Sequence, residues 1–211
     1  MRKIMILKML FLIALLIVAT NLLAQESVPA PLYKDGDVWV FRVVEADKLT
    51  QSTRALGGDY QVSYQKGKFV VRLEGGEKTE TKQDLGQIRR MLVLPDDERH
   101  YLQFPLAVGK TWNTSYTADT RGASGDVNRS GETSVTGIEQ LTTAAGTFRV
   151  FKIHRYDTGG GGRTSGKNPR QTKHWTFNYY YSPETRSIVK YSFEADEGRT
   201  DIELIKYVPA Q

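Results

Sequence analysis

A glycine-rich loop carries the clearest chemical spacing in this sequence. Gly161, Gly166 and Lys167 fit G-x-x-x-x-G-K, the pattern in which backbone amides and a lysine hold the phosphates of a nucleotide. Asn168 stands where a Ser or Thr hydroxyl would bind magnesium, and Pro169 follows it. A phosphate loop also needs a helix behind it, whereas this loop leads into a predicted strand. We therefore interpret the loop as a hairpin connection, not a nucleotide site.

The histidines give no metal-ligand pattern. His100, His154 and His174 each lie in or beside a predicted strand, and no H-x-H or H-E-x-x-H spacing occurs. His154 and His174 could approach each other if their strands are neighbours. The chain has no cysteine, which excludes thiolate metal sites, disulfides and a cysteine nucleophile. The sequence predicts no metal and no cofactor.

Catalytic patterns are also missing. Ser124 and Ser165 lie near glycines but miss the G-x-S-x-G spacing and its strand-turn-helix context. Asp96, Asp97 and Glu98 are adjacent, whereas a general acid and base must flank a substrate from two sides. We predict no catalytic residue and a protein that is not an enzyme. A hydrolase whose catalytic residues these patterns do not identify is kept as an alternative.

Aromatic residues are the more informative set, because 11 tyrosines, 8 phenylalanines and 3 tryptophans are present. Late in the chain they occupy alternate positions of one predicted strand, at Trp175, Phe177, Tyr179 and Tyr181. Such a row can pack a core, or it can line a ligand cleft, since tyrosine combines apolar area with a hydrogen-bonding hydroxyl. We predict that these four residues line a cleft, with ordinary core packing as the alternative.

The elements that position these residues are predicted to be strands. Runs rich in Val, Ile, Thr, Tyr, Phe and Trp recur between short polar breaks, and no long stretch has a helical period. Turn residues such as Lys66-Gly67 and Ser182-Pro183 join antiparallel neighbours. The predicted strands cover residues 38–44, 60–65, 68–74, 88–94, 100–104, 111–118, 132–141, 147–156, 174–181, 188–194 and 201–208.

The fold class is therefore all-β. Ten to twelve antiparallel strands should form a curved sheet, arranged as a closed or half-open barrel or a sandwich, after an N-terminal signal helix. In the last strand Ile202, Leu204 and Val208 should share one face, although Lys206 interrupts their row. A weak duplication of residues 36–104 and 109–194 is suggested by Gly-x-x-Trp at 36–39 and 109–112 and by a repeated Pro-acid turn.

The first 24 residues resemble a secretory signal peptide. Arg2, Lys3 and Lys8 precede an apolar run, and residues 22–24 lead into a polar stretch, so cleavage is expected after Ala24. An uncleaved anchor is the alternative. Because Gln25 stands where a bacterial lipoprotein would carry its cysteine, no lipid anchor is expected. Residues 25–211 should form one β-domain without a membrane span, located in the periplasm or outside the cell.

The charge argues against a nucleic-acid partner. Removing residues 1–24 takes away three basic and no acidic side chains, which lowers the formal net charge from +5 to +2. The remaining Lys and Arg are scattered among Asp and Glu, as on an ordinary solvated surface.

Four segments taken in order resemble exported bacterial β-rich proteins of a domain-of-unknown-function family, the TapB-like proteins. They are GDVWVF at 36–41, FPLAVGKTW at 104–112, AGTFRVFKI at 145–153, and YSPE at 181–184 followed by IVKY at 188–191. The resemblance implies a location in the cell envelope and a β-barrel-like domain, and it transfers no activity or site residue. The loop predicted at residues 159–173 is longer than the resemblance leads us to expect.

The function expected from these features is that of a non-enzymatic, exported β-domain. It would bind a lipid, another apolar or amphipathic ligand, or a partner segment in the aromatic cleft. The alternative is a structural or assembly component of the envelope that acts through a flat protein interface.

Overall fold

The computed structural model describes residues 26–46, 59–74, 101–118, 127–160, 172–195 and 198–211. Within these ranges the chain forms strands and turns but no helix, which confirms the all-β prediction. The strands are β1 (Ser27–Val28), β2 (Val38–Ala46), β3 (Asp59–Gln65), β4 (Lys68–Glu74), β5 (Leu106–Ala107), β6 (Thr111–Ala118), β7 (Val127–Thr143), β8 (Gly146–Gly160), β9 (Thr172–Ser182), β10 (Ser187–Ala195) and β11 (Gly198–Val208).

Nine of these strands form one antiparallel sheet in the order β4-β3-β2-β11-β10-β9-β8-β7-β6, and β1 pairs with β5 in a small second sheet. In the described part of the chain β4 and β6 are the two edges and do not pair with each other, so the sheet is half-open and not a closed barrel. Although three strands separate β11 from β7 in this order, the two contact each other. The sheet therefore curls around its inner face.

Most predicted strands are confirmed, with small shifts of their ends. The strand predicted at residues 100–104 is wrong for residues 101–104, which are the part of it that the structure describes. Tyr101, Leu102 and Phe104 lie in bends, and the Nζ of Lys110 donates to the carbonyls of Gln103 (2.6 Å) and Pro105 (2.9 Å). The apolar residues that suggested a strand have another role, since Tyr101 and Phe104 pack against the inner face of the large sheet. The predicted strand at 88–94 lies outside the described residues.

The inner face holds the core. It includes fully buried Trp39, Phe41, Ile153 and Leu204, and burial of each such side chain contributes roughly 1.5–3 kcal/mol. The indole nitrogen of Trp39 donates to the carbonyl of Thr185 at 2.8 Å, so this large ring is buried with its polar group satisfied.

The end of β11 departs from the predicted alternation. Ile202 and Leu204 are buried as expected, but Val208 is 42% exposed. A β-bulge between Leu204 and Lys206 shifts the register against β2, and one extra residue turns every later side chain to the other face. Tyr207 consequently faces inward, stacked 5.9 Å from Trp39.

The first Gly-x-x-Trp segment is a tight corner where β2 begins. Gly36 has a φ of 103°, which favours glycine. Its N–H donates to the carbonyl of Tyr64, and the N–H of Tyr64 donates to the carbonyl of Asp37, both at 2.9 Å.

The second Gly-x-x-Trp segment repeats this geometry where β6 begins. Gly109 has a φ of 83°, its N–H donates to the carbonyl of Val135 at 2.8 Å, and the N–H of Val135 donates to the carbonyl of Lys110 at 2.9 Å. Each corner leads into a buried tryptophan, Trp39 or Trp112. The two corners are thus alike in structure, while the duplication of whole halves stays a prediction.

Candidate functional site

The predicted aromatic row lies on the inner face of β9. Trp175, Phe177, Tyr179 and Tyr181 are all buried, with exposed fractions of 8%, 2%, 0% and 1%. The segment outside the sheet covers them, since Tyr101 lies 6.2 Å from Tyr179 and Phe104 lies 5.3 Å from Tyr181 between ring centroids. Burial raises the pKa of Tyr181 far above its ordinary value. The structure brings the four residues together, and a ligand cleft along them stays a prediction.

A buried ion pair stands beside this row. Arg155 and Asp157 are two residues apart on β8, so both side chains point to the inner face, where each is fully buried. Arg155 Nε donates to Asp157 Oδ1 at 2.7 Å, and Nη2 donates to Oδ2 at 3.0 Å. The hydroxyl of Tyr116 also donates to Oδ2, at 3.0 Å. Burial, followed by the charge of Asp157, raises the pKa of Tyr116 to about 12.

Aromatic rings surround the guanidinium of Arg155. Its central carbon lies 5.3 Å from the ring centroids of Tyr101 and Tyr116 and 5.8 Å from that of Phe177, distances typical of cation–π contacts. Burial alone would lower the pKa of Arg155, but the hydrogen bonds to Asp157, together with the electrostatic interactions with Tyr179, Asp157 and Tyr116, outweigh burial, and the pKa is raised. The group is therefore a permanent buried cation, and its Nη1 has no hydrogen-bond partner among the described residues.

A second arginine lies at the same end of the inner face. The guanidinium of Arg129, on β7, lies 3.8 Å from the ring centroid of Trp175. Its Nε is buried and, within the ranges that the structure describes, has no hydrogen-bond partner. Arg129 and Arg155 together outweigh the charge of Asp157, so these three side chains give this end of the inner face a positive charge.

Gly131 makes room for the ion pair. A β-carbon at this position of β7 would come within 1.7 Å of Asp157 Oδ1 and 2.8 Å of its Cγ. Because glycine has no β-carbon, the carboxylate of Asp157 can lie directly over the backbone of β7.

The opposite, outer face of β6 to β9 carries three rows of polar side chains that pair across the strands, which we call the outer array. The first row is Asn113, Glu132, Tyr156 and Thr176. The second row is Ser115, Ser130, Thr158 and His174. The third row is Thr111, Ser134, His154 and Asn178. A surface depression of about 500 Å³ lies over the first two rows on β6 to β8.

Tyr156 is the aromatic member of the outer array, and 43% of it is exposed. Its hydroxyl shares a hydrogen bond of 2.5 Å with Nδ1 of His174. The two rings stack with centroids 5.6 Å apart and planes 19° apart.

The histidines do not form a metal site among the described residues. His154 Nδ1 lies 3.1 Å from Asn178 Oδ1, and His174 pairs with Thr158, so the two histidines are about 13 Å apart along neighbouring strands. In the ranges given above, no group of three His, Asp or Glu could hold a metal ion.

Several candidate residues of the sequence lie outside the described ranges. They are His100, Ser124, Ser165, the acidic residues 96–98, and residues 161–169 of the glycine-rich loop. The strands on both sides of that loop are longer than predicted, because β8 continues to Gly160 and β9 begins at Thr172. The structure thus places part of the predicted loop in the sheet.

Sequence reasoning did not find Arg155 and Asp157. A signal was present, since both continue the inward alternation of Phe151 and Ile153 along β8. A charged pair at alternate positions of an otherwise apolar face indicates a buried ion pair.

In the part of the chain that the structure describes, no helix has the length and apolar character needed to cross a bilayer.

No protein-family model matches the chain, and no curated protein matches it. The resemblance to TapB-like proteins accordingly stays a prediction.

Three solved structures are similar in outline. A protein from Parabacteroides distasonis described as a candidate lipoprotein is 14% identical, with 87% of this chain and 100% of that chain covered and a TM-score of 0.42. The hypothetical lipoprotein YmcC of Escherichia coli is 14% identical, with 83% and 86% covered and a TM-score of 0.36. A candidate exported protein with a YmcC-like fold from Bacteroides fragilis is 12% identical, with 87% and 100% covered and a TM-score of 0.34.

Proposed function

We propose that this protein is a non-enzymatic bacterial β-domain, exported to the periplasm or the cell exterior, that binds an amphipathic ligand on its inner face. The polar end of the ligand would meet Arg155, and its apolar part would lie along the aromatic row of Trp175, Phe177, Tyr179 and Tyr181. One observation carries the proposal: a fully buried guanidinium, ringed by aromatic side chains, has a donor without a partner among the described residues.

The unpartnered donor has an energetic cost. A buried hydrogen-bonding group left unsatisfied costs about 1–3 kcal/mol, and more when it is charged. Asp157 uses both of its oxygens on Nε, Nη2 and Tyr116, so it leaves Nη1 of Arg155 free for an acceptor from outside the described chain. A carboxylate or phosphate group would supply that acceptor, and the positive charge of nearby Arg129 would favour it.

Access requires a part of the fold that can move without breaking the large sheet. Tyr101–Phe104 cover the aromatic row from outside the sheet and pair with none of the described strands. Displacing this cover would expose Tyr179, Tyr181 and the guanidinium of Arg155, which the Tyr101 ring now faces.

The proposal is tested by titrating the protein with dodecyl phosphate below its micelle concentration while tryptophan fluorescence is recorded, because Trp175 lies in the proposed site. Replacing the ion pair with apolar residues, Arg155→Met with Asp157→Leu, should preserve the fold, since buried ion pairs tolerate such replacement. We expect binding to weaken by at least about tenfold in this double variant.

The matched control is Arg42→Met with Asp59→Leu, which removes an exposed Arg–Asp pair on the outside of β2 and β3. It should bind dodecyl phosphate as the unaltered protein does. Absence of binding by the unaltered protein, or equal binding by both double variants, would contradict the proposal.

A second candidate is an envelope assembly component that acts through a protein interface. It is favoured by β4 and β6, which have unpaired edges within the described ranges and could each accept a strand from a partner. Cross-linking in intact cells would recover one dominant protein partner if this candidate is correct.

A further inference from the structure

The outer array has an unusual composition for a solvent-facing sheet. Of its twelve positions only Glu132 is an Asp, Glu, Lys or Arg, whereas such residues make up 25% of the whole chain. The other positions carry hydroxyl, amide and imidazole groups and one phenol, which both donate and accept hydrogen bonds. Charged pairs begin only outside the array, as in Lys190 with Glu203 on β10 and β11.

The array is also regular. Because its rows follow the strand register, neighbouring groups are spaced by the sheet itself, and the array covers about 14 Å across the strands and 13 Å along them. Rigid strands hold the polar groups in fixed relative positions, which reduces the ordering cost of binding.

Tyr156 provides a fixed aromatic surface within the array. Its ring stacks on His174 and its hydroxyl is held at 2.5 Å by the same residue, so one ring face is occupied and the ring cannot turn freely. The exposed part of the ring adjoins the depression, which is lined on the other strands by Asn113, Ser115, Ser130 and Glu132.

We propose that the outer array binds a neutral oligosaccharide, with a sugar ring packed on Tyr156 and its hydroxyls hydrogen-bonded to Asn113, Ser130 and Glu132. A sugar ring has an apolar C–H face and a polar rim, which matches an aromatic ring surrounded by uncharged donors and acceptors. The site is distinct from the inner face and does not rest on the function proposed above.

Other ligand classes fit this surface less well. A nucleotide or an acidic polysaccharide would need cations, and the array offers a carboxylate, Glu132, with no Lys or Arg among its twelve residues. A stable protein interface has an apolar or aromatic centre, whereas Tyr156 is the only large apolar group of the array.

The test measures binding of the protein, by isothermal titration calorimetry, to cellohexaose, maltohexaose, xylohexaose, mannohexaose, chitohexaose and, as an acidic member, hexagalacturonate. We expect at least one neutral hexasaccharide to bind and hexagalacturonate to bind more weakly. Tyr156→Ala should weaken the neutral sugar by at least about tenfold, and Tyr156→Phe, which keeps the ring, by no more than about threefold.

The control is Tyr180→Ala. Tyr180 also lies on the outer face of β9 but outside the array, beneath Nζ of Lys152 at 5.9 Å, so its removal should leave sugar binding unchanged. Binding of none of the neutral sugars at millimolar concentration would overturn the proposal, as would equal losses in Tyr156→Ala and Tyr180→Ala. Stronger binding of hexagalacturonate would overturn it as well.

Discussion

The carboxylate of Asp157 lies against the backbone of Gly131, so close that a β-carbon added to this glycine would be 1.7 Å from Oδ1 of Asp157. The same carboxylate accepts two hydrogen bonds from Arg155 and one from Tyr116. The buried cation of the inner face therefore depends on a glycine in the neighbouring strand.

Gly131→Ala should destabilise the protein. The new methyl group would push the Asp157 carboxylate away from Arg155. Removing one partner of a buried ion pair costs about 3–5 kcal/mol, and we expect the loss in Gly131→Ala to approach that range. Urea unfolding gives the free energy of unfolding directly.

Gly137→Ala is the matched control, because it lies on the same strand and a β-carbon there would meet no described atom within 4 Å. Its effect on the free energy of unfolding should stay within about 0.5 kcal/mol. Similar losses in Gly131→Ala and Gly137→Ala would contradict the role given to Gly131.

Asp37→Asn should also lower the free energy of unfolding. This fully buried carboxylate joins the start of β2 to the C-terminal end, accepting hydrogen bonds from the N–H of Ala210 at 3.0 Å, from Arg186 Nη2 at 2.5 Å and from the N–H of Lys34 at 2.8 Å. Loss of its charge leaves the Arg186 cation without its ion-pair partner, and we expect a cost of about 2–4 kcal/mol in urea unfolding.

The exposed ion pair provides the comparison for Asp37. Asp59→Asn removes the charge that pairs with Arg42 at 2.7 Å, and surface pairs contribute about 0–1 kcal/mol. If Asp59→Asn lowered the free energy of unfolding as much as Asp37→Asn does, burial of the carboxylate would not be what determines the loss of stability.

Alkaline pH should destabilise the fold through Tyr116. Its pKa is raised by burial from 10.0 to about 12, so between these values the unfolded chain releases a proton that the folded chain retains. The unfolded state then binds fewer protons, and stability decreases as pH rises, by up to about 2 kcal/mol across this window. Urea unfolding as a function of pH measures the slope, which should be smaller in Tyr116→Phe. An equal slope in both proteins would contradict the assignment.

The sequence predicted the fold class and the inner face of β9 because their causes are local. Strict alternation from Trp175 to Tyr181 follows from the two-residue repeat of a strand, and burial matches it position by position. The turn at Lys66-Gly67 was likewise evident from residue type, and both residues have positive φ.

The errors have non-local causes. Val208 turns outward because a bulge near Leu204 moves the register against β2, and a bulge depends on pairing with a distant strand. Tyr101–Phe104 have the composition of a strand but serve as a cover, because the inner face needs apolar groups on its open side. The closeness of Arg129 to Trp175 depends on which strands are neighbours, which composition does not reveal.

The most direct test of the central claim is native mass spectrometry of the protein recovered, without detergent exchange, from the envelope of its own host. We predict a bound anionic amphiphile that is present with the unaltered protein and with the Arg42/Asp59 double variant, and lost from the Arg155/Asp157 double variant. A protein that is consistently empty, or a ligand retained equally by all three forms, would contradict the assignment of Arg155 as the group that receives it.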